Sequence, residues 1–396
     1  MARRDSRRPS VSALLAKDPN SVTLTPQARC RILSNMPENP NRQETCNWIA
    51  GKRELVLVTG GAGFIGAKVV ERLLEMGFSN LRCFVRTPQS AAKLRSLSCE
   101  TEGPTRIEVV QGNLLSRDDC ARAAEGVCII FHLAAGRGEK SYPDAFMNSV
   151  VTTRNLIEAS ISNGCLKRFV NISSFSVYSN TGKAHGRILD GSCLVEDRPQ
   201  LRGDAYTFAK VRQDEMVADC AAKFGLPYVI VRPGHVYGPG NLGISGRVGI
   251  DTFGRFLHLG GSNTLPLTYV DNCAEAIVLA GLVPGVEGET FNVVDDQLPS
   301  SSRFLGLYKK NVKGFKSIYL PHAVSYSFCW CWEKYSAWSH GQLPPVFNRR
   351  RWHAFWKKTQ YSNKRLKERL GWVPRVPMNV GLDRYFEACR ARGSDA

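Results

Sequence analysis

Tyr206 and Lys210 stand four residues apart in the run Ala205 to Lys223, which reads as a helix, so both side chains fall on one face. An ammonium beside a phenol favours the phenolate. The phenol oxygen can then give a proton to a carbonyl, or take one from an alcohol, near neutral pH. Ser174, at the end of a predicted strand, is placed to hold the same substrate oxygen with its hydroxyl. Ser174, Tyr206 and Lys210 are therefore the candidate catalytic group.

A second constellation binds rather than reacts. Thr59 to Gly66 reads Thr-Gly-Gly-Ala-Gly-Phe-Ile-Gly, with Gly60, Gly63 and Gly66 between a short apolar strand, Leu55 to Thr59, and an apolar-periodic helix, Phe64 to Met76. Glycine lets backbone amides approach a pyrophosphate, and the helix N-terminus adds partial positive charge and unused N–H donors. Gly60, Gly63, Phe64, Ile65 and Gly66 are thus candidate dinucleotide contacts. An acid that binds the adenosine ribose is expected about twenty residues after the last glycine. Arg86 stands there. A guanidinium cannot accept from a 2′-hydroxyl but holds a 2′-phosphate, which favours NADP(H) over NAD(H).

These residues need a scaffold that gathers strand ends. Further strands are expected at Leu81 to Arg86, Ile107 to Gln111, Val127 to Leu133, Arg168 to Ser173 and Pro227 to Arg232. Helices are expected at Ala91 to Leu97, Arg117 to Glu125 and Ala145 to Ser162 between them. The alternation implies right-handed crossovers and one doubly wound parallel sheet covered on both faces, an α/β fold. After Gly240 the rhythm breaks into glycine-rich loops, a helix at Asp271 to Gly281 and a tail holding six of the seven Trp. The expected organisation is a basic, disordered extension at 1–52, a dinucleotide-binding domain at 53–240, and a smaller irregular substrate-binding region at 241–396 with an aromatic and basic segment at 317–358.

The 396 residues, 43% hydrophobic and 22% charged, exclude a disordered chain, a coiled coil or a collagen-like repeat. No run of about 18 apolar residues suggests a spanning helix. A net charge of +18 favours anionic partners: phosphorylated cofactors, acidic lipid surfaces or nucleic acid. Thirteen scattered Cys and no apolar leader read as a reduced, cytoplasmic protein. Cys329-x-Cys331 lacks further ligands nearby, so no metal site is expected. Arg349 to Lys358 interleaves cations with aromatic rings, a pattern suited either to an acidic lipid surface or to a lid packed on the core. Such a patch beside a catalytic unit argues against nucleic acid.

Taken together, the chain resembles the extended short-chain dehydrogenase/reductases of the NAD-dependent epimerase/dehydratase group. The resemblance spans roughly residues 54 to 390. It rests on the glycine turn, His132-Leu133-Ala134-Ala135, Ser173-Ser174-Phe175-Ser176-Val177-Tyr178 and Tyr206-x-x-x-Lys210. It continues in Arg232 to Gly240, Tyr269-Val270-Asp271-Asn272, Phe291-Asn292-Val293 and Leu370-Gly371-Trp372-x-Pro374. The resemblance implies a Rossmann fold and a Ser174–Tyr206–Lys210 site, in which Tyr206 is the acid/base and Lys210 lowers its pKa and binds the nicotinamide ribose. It also places Ala134, Ala135, Pro233 and His235 along the cofactor. Three positions depart from the pattern: Asn113 for an Asp that contacts adenine, Ser149 for a helix Asn, and Ala209 for a Ser. His235 and Asn272 stand where sugar-nucleotide enzymes favour Asn and Asp, which resembles the 3β-hydroxysteroid branch instead.

The expected activity is reversible hydride transfer at a secondary alcohol or ketone of a bulky hydrophobic substrate, sterol-like or acyl-like, with a nucleotide-sugar epimerase or dehydratase as the alternative. A peripheral membrane surface and a homodimer are the other partners considered.

Overall fold

A computed structural model of the chain describes residues 47–99, 106–136, 141–181, 188–252, 254–340, 342 and 346–394. Val56–Thr59 forms β1, buried throughout, as a short apolar run without alternation must be. The chain then alternates: α1 (Phe64–Glu75), β2 (Asn80–Val85), α2 (Pro88–Cys99), β3 (Arg106–Gln111), α3 (Arg117–Ala124) and β4 (Ile129–His132). After β4 come α4 (Tyr142–Phe146), α5 (Thr152–Ser162), β5 (Arg168–Ile172), α6 (Ala205–Phe224) and β7 (Tyr228–Pro233). With β12 (Thr290–Val293), these strands make a seven-stranded parallel sheet in the order β12-β7-β5-β4-β1-β2-β3.

The two-residue period of the strands divides the core between the two faces. Val56, Val58 and Phe131 join α1 residues Val69, Val70 and Leu73 on one side, with Ile277 from α7 (Val270–Leu282). Leu57, Ile130 and Phe169 join Ala123, Leu156, Ile157 and Val217 from α3, α5 and α6 on the other. This is the doubly wound arrangement that the strand and helix alternation implies.

Three features differ from the sequence-based expectation. Ordered packing begins before residue 53: Ala50 is buried, Trp48 and Ile49 pack on the core, and Ile49 N–H donates to the Leu282 carbonyl at 3.0 Å. A three-residue apolar cluster is too short to show a period. Residues 1–46 lie outside the described residues. The continuous helix expected from Ala145 to Ser162 is interrupted by a π turn at Met147–Val151. Finally, the sheet takes its edge strand β12 and the covering helix α7 from residues beyond 240.

The rest of the C-terminal part is built from short pairings. β8 (His235–Tyr237) pairs with β11 (Leu267–Tyr269), and β6 (Ile188–Leu189) with β14 (Gln360–Tyr361). β9 (Gly249–Thr252), β10 (Arg255–His258) and β13 (Ser317–Tyr319) make a small sheet. Around them lie α8 (Ser301–Asn311), α9 (His322–Trp338), α10 (Arg349–Phe355), α11 (Lys364–Leu370) and α12 (Met378–Ser394). Trp372 is wholly buried and its indole N–H donates to the Asn272 carbonyl at 3.0 Å. The Asn272 amide donates to Asp295 and to the Val376 carbonyl. Asn272 in place of Asp therefore ties down the C-terminal segment, and its contacts concern packing rather than a substrate.

Candidate active site

A cleft of about 640 Å³ opens at the carboxyl ends of the parallel strands, where such sheets bind ligands. Gly60, Gly63, Phe64, Ile65 and Gly66 line it from the turn after β1. Arg86 and Asn113 line it from the ends of β2 and β3, Ala134 and Ala135 from the end of β4, and Ser174 from the end of β5. Tyr206 and Lys210 enter from α6, and Pro233 and His235 from the end of β7 and the start of β8. The fold thus brings every candidate residue to one cavity.

The glycines divide the work differently from the expectation that all three make room for a pyrophosphate. Gly60 has φ of 70°, and a Cβ there would meet Ala134 N at 3.0 Å. A Cβ on Gly66 would sit 2.1 Å from the Gly60 carbonyl oxygen, so Gly66 is required by the contact of α1 with its own turn. The N-terminus of α1 has no side-chain cap and no acid in its first turn, which leaves it suited to an anion.

At the end of β2, Arg86 is exposed and makes no hydrogen bond or ion pair among the described residues. Thr87 and Ser90 line the cleft beside it, linked by Ser90 N–H donating to Thr87 Oγ1 at 3.3 Å. Asn113 accepts from Leu115 N–H through Oδ1 at 3.0 Å. Its side-chain oxygen performs a local turn contact that an Asp carboxylate also could make.

Ser174 Oγ accepts from Ser176 N–H at 3.1 Å and caps the 3₁₀ turn Phe175–Val177, which fixes the hydroxyl and leaves its proton to donate. Asp204 caps α6 by accepting from Tyr206 N–H at 3.2 Å and Thr207 Oγ1 at 2.5 Å, so the cap sets where the helix starts and where Tyr206 points. Tyr206 is 36% exposed, whereas Lys210 is buried. Lys210 Nζ donates to the Ile172 carbonyl at 2.6 Å and to Gln213 Oε1 at 2.9 Å.

Behind Lys210 runs a fully buried polar chain that sequence reasoning assigned no role. Gln213 Nε2 donates to Thr153 Oγ1 at 2.7 Å, and Thr153 donates its one hydroxyl proton to the Ser149 carbonyl at 2.5 Å. Thr153 must therefore accept from His132 Nε2–H at 2.8 Å. His132 Nδ1 in turn accepts from Thr59 Oγ1 at 2.8 Å, and Thr59 Oγ1 accepts from Ala134 N–H at 3.2 Å. Burial, aided by the Lys210 charge, pushes the His132 pKa down to about 3, so the ring is neutral as this chain of donors requires. The Thr152 and Thr153 hydroxyls bond back to carbonyls at Asn148 and Ser149, which accompanies the π turn. Ser149 Oγ accepts from Gly136 N–H at 3.2 Å and holds the loop after β4. The available signal was spacing, since Gln213 lies three residues beyond Lys210 on the same helix.

Several motif residues prove to be architectural. Asp214 accepts from Arg232, Ser173 and Asn171 inside the protein. Tyr178 donates to Asn292 Oδ1 at 2.6 Å beneath the Arg232 guanidinium, which lies 4.8 Å from the ring centroid. His235 is half-buried, and burial together with the Arg247 charge pushes its pKa down to about 4.

Several cations of the basic run Arg349 to Lys358 have partners within the chain. Arg349 pairs with Glu333 at 3.0 Å, Arg350 with Asp197 at 3.0 Å and with Glu196, and Lys357 donates to the Asn180 carbonyl at 2.8 Å. Trp352 and Trp356 are buried. Most of the cations read as facing an acidic surface thus have internal partners. The exposed aromatic face belongs to α9, where Val324, Phe328, Tyr335 and Trp338 are each about half or more exposed, Trp338 by 74%. Cys329 is buried and Cys331 exposed, and among the described residues no group of His, Cys, Asp or Glu side chains could hold a metal ion. No helix among them is long and apolar enough to cross a membrane.

Residues 56–293 match the sequence profile of the NAD dependent epimerase/dehydratase family. Among curated relatives, the chain is similar to 3beta-hydroxysteroid-dehydrogenase/decarboxylase isoform 1 of Arabidopsis thaliana, with 24% identity over 84% of this chain and 79% of that one. It is also similar to an uncharacterized UDP-glucose epimerase of Bacillus subtilis (strain 168), with 30% identity over 60% of this chain and 76% of that one. Among solved structures, UDP-glucuronic acid 4-epimerase from Bacillus cereus, in complex with UDP-glucuronic acid and NAD, superposes with a TM-score of 0.64. That likeness has 20% identity, covers 85% of this chain and 99% of the other, and concerns the fold.

Proposed function

Because the chain belongs to the NAD dependent epimerase/dehydratase family, we propose that it is an oxidoreductase acting at a secondary alcohol or ketone of a bulky hydrophobic substrate, sterol-like or acyl-like. The observation that carries this reading is the convergence of Ser174, Tyr206 and Lys210 with the uncapped α1 N-terminus in one cleft. A dinucleotide fits the residues present: the helix N-terminus suits its pyrophosphate, and Arg86, Thr87 and Ser90 offer a cation and hydroxyls to a 2′-phosphate, which favours NADP(H). Ala134, Ala135, Pro233 and His235 line the stretch between the turn and Tyr206. The nicotinamide, when bound, supplies or accepts the hydride.

Tyr206 gives its hydroxyl proton to the carbonyl oxygen as that carbon is reduced, or takes it from the alcohol in the reverse direction. Ser174, held by its own turn, donates to the same oxygen and stabilises the charge that grows there. Lys210, fixed by Ile172 and Gln213, holds its ammonium where it favours the phenolate, and it would hold the nicotinamide ribose of a bound cofactor.

The resemblance to a steroid dehydrogenase over most of both chains supports the hydrophobic substrate, while the UDP-glucose epimerase relative supports the second reading, a nucleotide-sugar epimerase or dehydratase on the same site. Residues 53–240, completed by β12, form the cofactor-binding body in this reading, and 241–396 cover the substrate. Contact with a membrane surface would rest on the exposed rings of α9. The test is to incubate the protein with NADP⁺ or NAD⁺ and a 3β-hydroxysteroid and follow reduced nicotinamide, beside thermal shifts with UDP-glucose. Reduction with the steroid supports the proposal. A thermal shift with the sugar nucleotide and no reduction with the steroid selects the alternative.

A further inference from the structure

We propose that Arg202, Arg247 and Arg351 form a recognition site for an oxyanion on the substrate, a carboxylate or a phosphate, beyond the His235 end of the cleft. Their guanidinium carbons lie 6.0, 5.1 and 5.7 Å from the centroid of one ring, Phe355. None of the three pairs with a carboxylate among the described residues. Arg247 donates to the Ala354 carbonyl at 2.9 Å and Arg351 to the Val346 carbonyl at 3.1 Å. Arg202 is fully buried, donates through Nη1 to the Ser176 and Tyr178 carbonyls, and among the described residues has no partner for Nε or Nη2.

The acids near Arg202 act on it through their charge but make their hydrogen bonds elsewhere. Glu196 and Asp197 are held by Arg350, and Asp204 caps α6. Three clustered cations and two buried nitrogens with unmet N–H groups are costly to keep in a folded chain without a ligand. Burial pushes the Arg202 pKa down to about 10, opposed by the nearby Asp204 and Glu196 carboxylates and aided by the Arg247 and Arg351 charges. The guanidinium fork matches the paired oxygens of a carboxylate or phosphate.

Position connects the group to catalysis. Arg202 ends the turn Pro199–Arg202, four residues before Tyr206, and the carbonyls it holds follow Ser174 by two and four residues. Arg247 lies close enough to His235 for its charge to act on a ring that lines the cleft. The inference rests on the proposed oxidoreductase reading for the idea of a substrate in this cleft, but its test reads binding and not turnover.

The full-length protein with NADPH is titrated with cholate, an acid on a hydrophobic body, and with its uncharged methyl ester. UDP-glucose and inorganic pyrophosphate serve as phosphate probes. Cholate should bind at least about tenfold more tightly than the ester, by a margin that shrinks with salt and is lost in Arg247→Gln and Arg351→Gln. NADPH affinity should stay unchanged in these half-buried variants, which keep the test valid if Arg202→Met fails to fold. Arginine-dependent binding of UDP-glucose or pyrophosphate, without the cholate preference, supports the site and assigns the oxyanion to a phosphate. Equal binding of acid and ester with no arginine-dependent phosphate binding overturns the proposal, as does any anion preference that survives both substitutions. In either case Tyr206→Phe still tests the hydride-transfer reading separately.

Discussion

The Lys210 ammonium donates to Gln213 Oε1 at 2.9 Å, and the orientation of that amide is imposed from behind, because Thr153 has already given its proton away and must accept from Gln213 Nε2. Gln213 is therefore a positioning residue for Lys210. Gln213→Leu should keep the volume while removing one acceptor from a buried ammonium. A less favourable ammonium stabilises the Tyr206 phenolate less, so turnover in the alcohol-oxidising direction should fall by about tenfold and its pH midpoint should move up. Unchanged pH profiles would assign Gln213 to packing alone.

Tyr206→Phe deletes the proton-transferring oxygen and leaves a ring of the same shape at the cleft wall. Turnover should drop by a factor of at least about 10², with cofactor affinity nearly constant. Single-turnover assays alongside cofactor titration separate the two quantities, and near-wild-type turnover would remove Tyr206 from the mechanism.

Arg86→Asp replaces the guanidinium at the end of β2, unpartnered among the described residues, with a carboxylate that repels a 2′-phosphate and accepts from a 2′-hydroxyl. The ratio of NADPH to NADH dissociation constants should move toward NADH by about tenfold or more. A wild type that already prefers NADH would contradict the assignment of Arg86.

Gly66→Ala should be damaging for a reason unrelated to any ligand. The added methyl would lie 2.1 Å from the Gly60 carbonyl oxygen, a backbone atom that cannot swing aside. A loss of at least about 2 kcal/mol is expected in urea unfolding. An Ala variant as stable as the wild type would mean that α1 can back away from its turn.

His132 and His235 are held neutral, with pKa values pushed down to about 3 and about 4 from the ordinary 6.5. On unfolding both return to ordinary behaviour, so below about pH 6.5 the unfolded chain binds protons that the folded chain refuses. Stability should fall as the pH is lowered, by about 2 kcal/mol per ring between pH 6.5 and 5. Urea midpoints at pH 7 and 5 measure the loss, and His132→Gln should flatten the dependence. A variant with the same dependence as the wild type would show that His132 does not titrate in this way.

Much of this molecule follows from local rules that act within a few residues. The α6 helix, predicted at Ala205 to Lys223 and found at Ala205–Phe224, begins at Asp204 and ends at Gly225 with φ of 66°, a cap and a stop that neighbouring chemistry dictates. The largely apolar runs of β1 and β4 favour burial on both faces, and that leads to a covered parallel sheet whose strand ends collect the glycine turn, Ser174 and Tyr206. What the chain could not declare locally is which distant partner each polar group meets. β12 has four residues and no period to announce it, yet it completes the sheet by pairing with β7. The run Arg349 to Lys358 is basic in composition, but Glu333, Glu196, Asp197 and Asn180 decide that much of its charge has a partner within the chain. Arg247 and Arg351 come from segments more than 100 residues apart and meet around the Phe355 ring, as His132 and Gln213 meet through Thr153. Hydrogen bonding and ion pairing depend on position in space, which only chain packing settles, whereas capping, periodicity and glycine turns depend on neighbours in sequence.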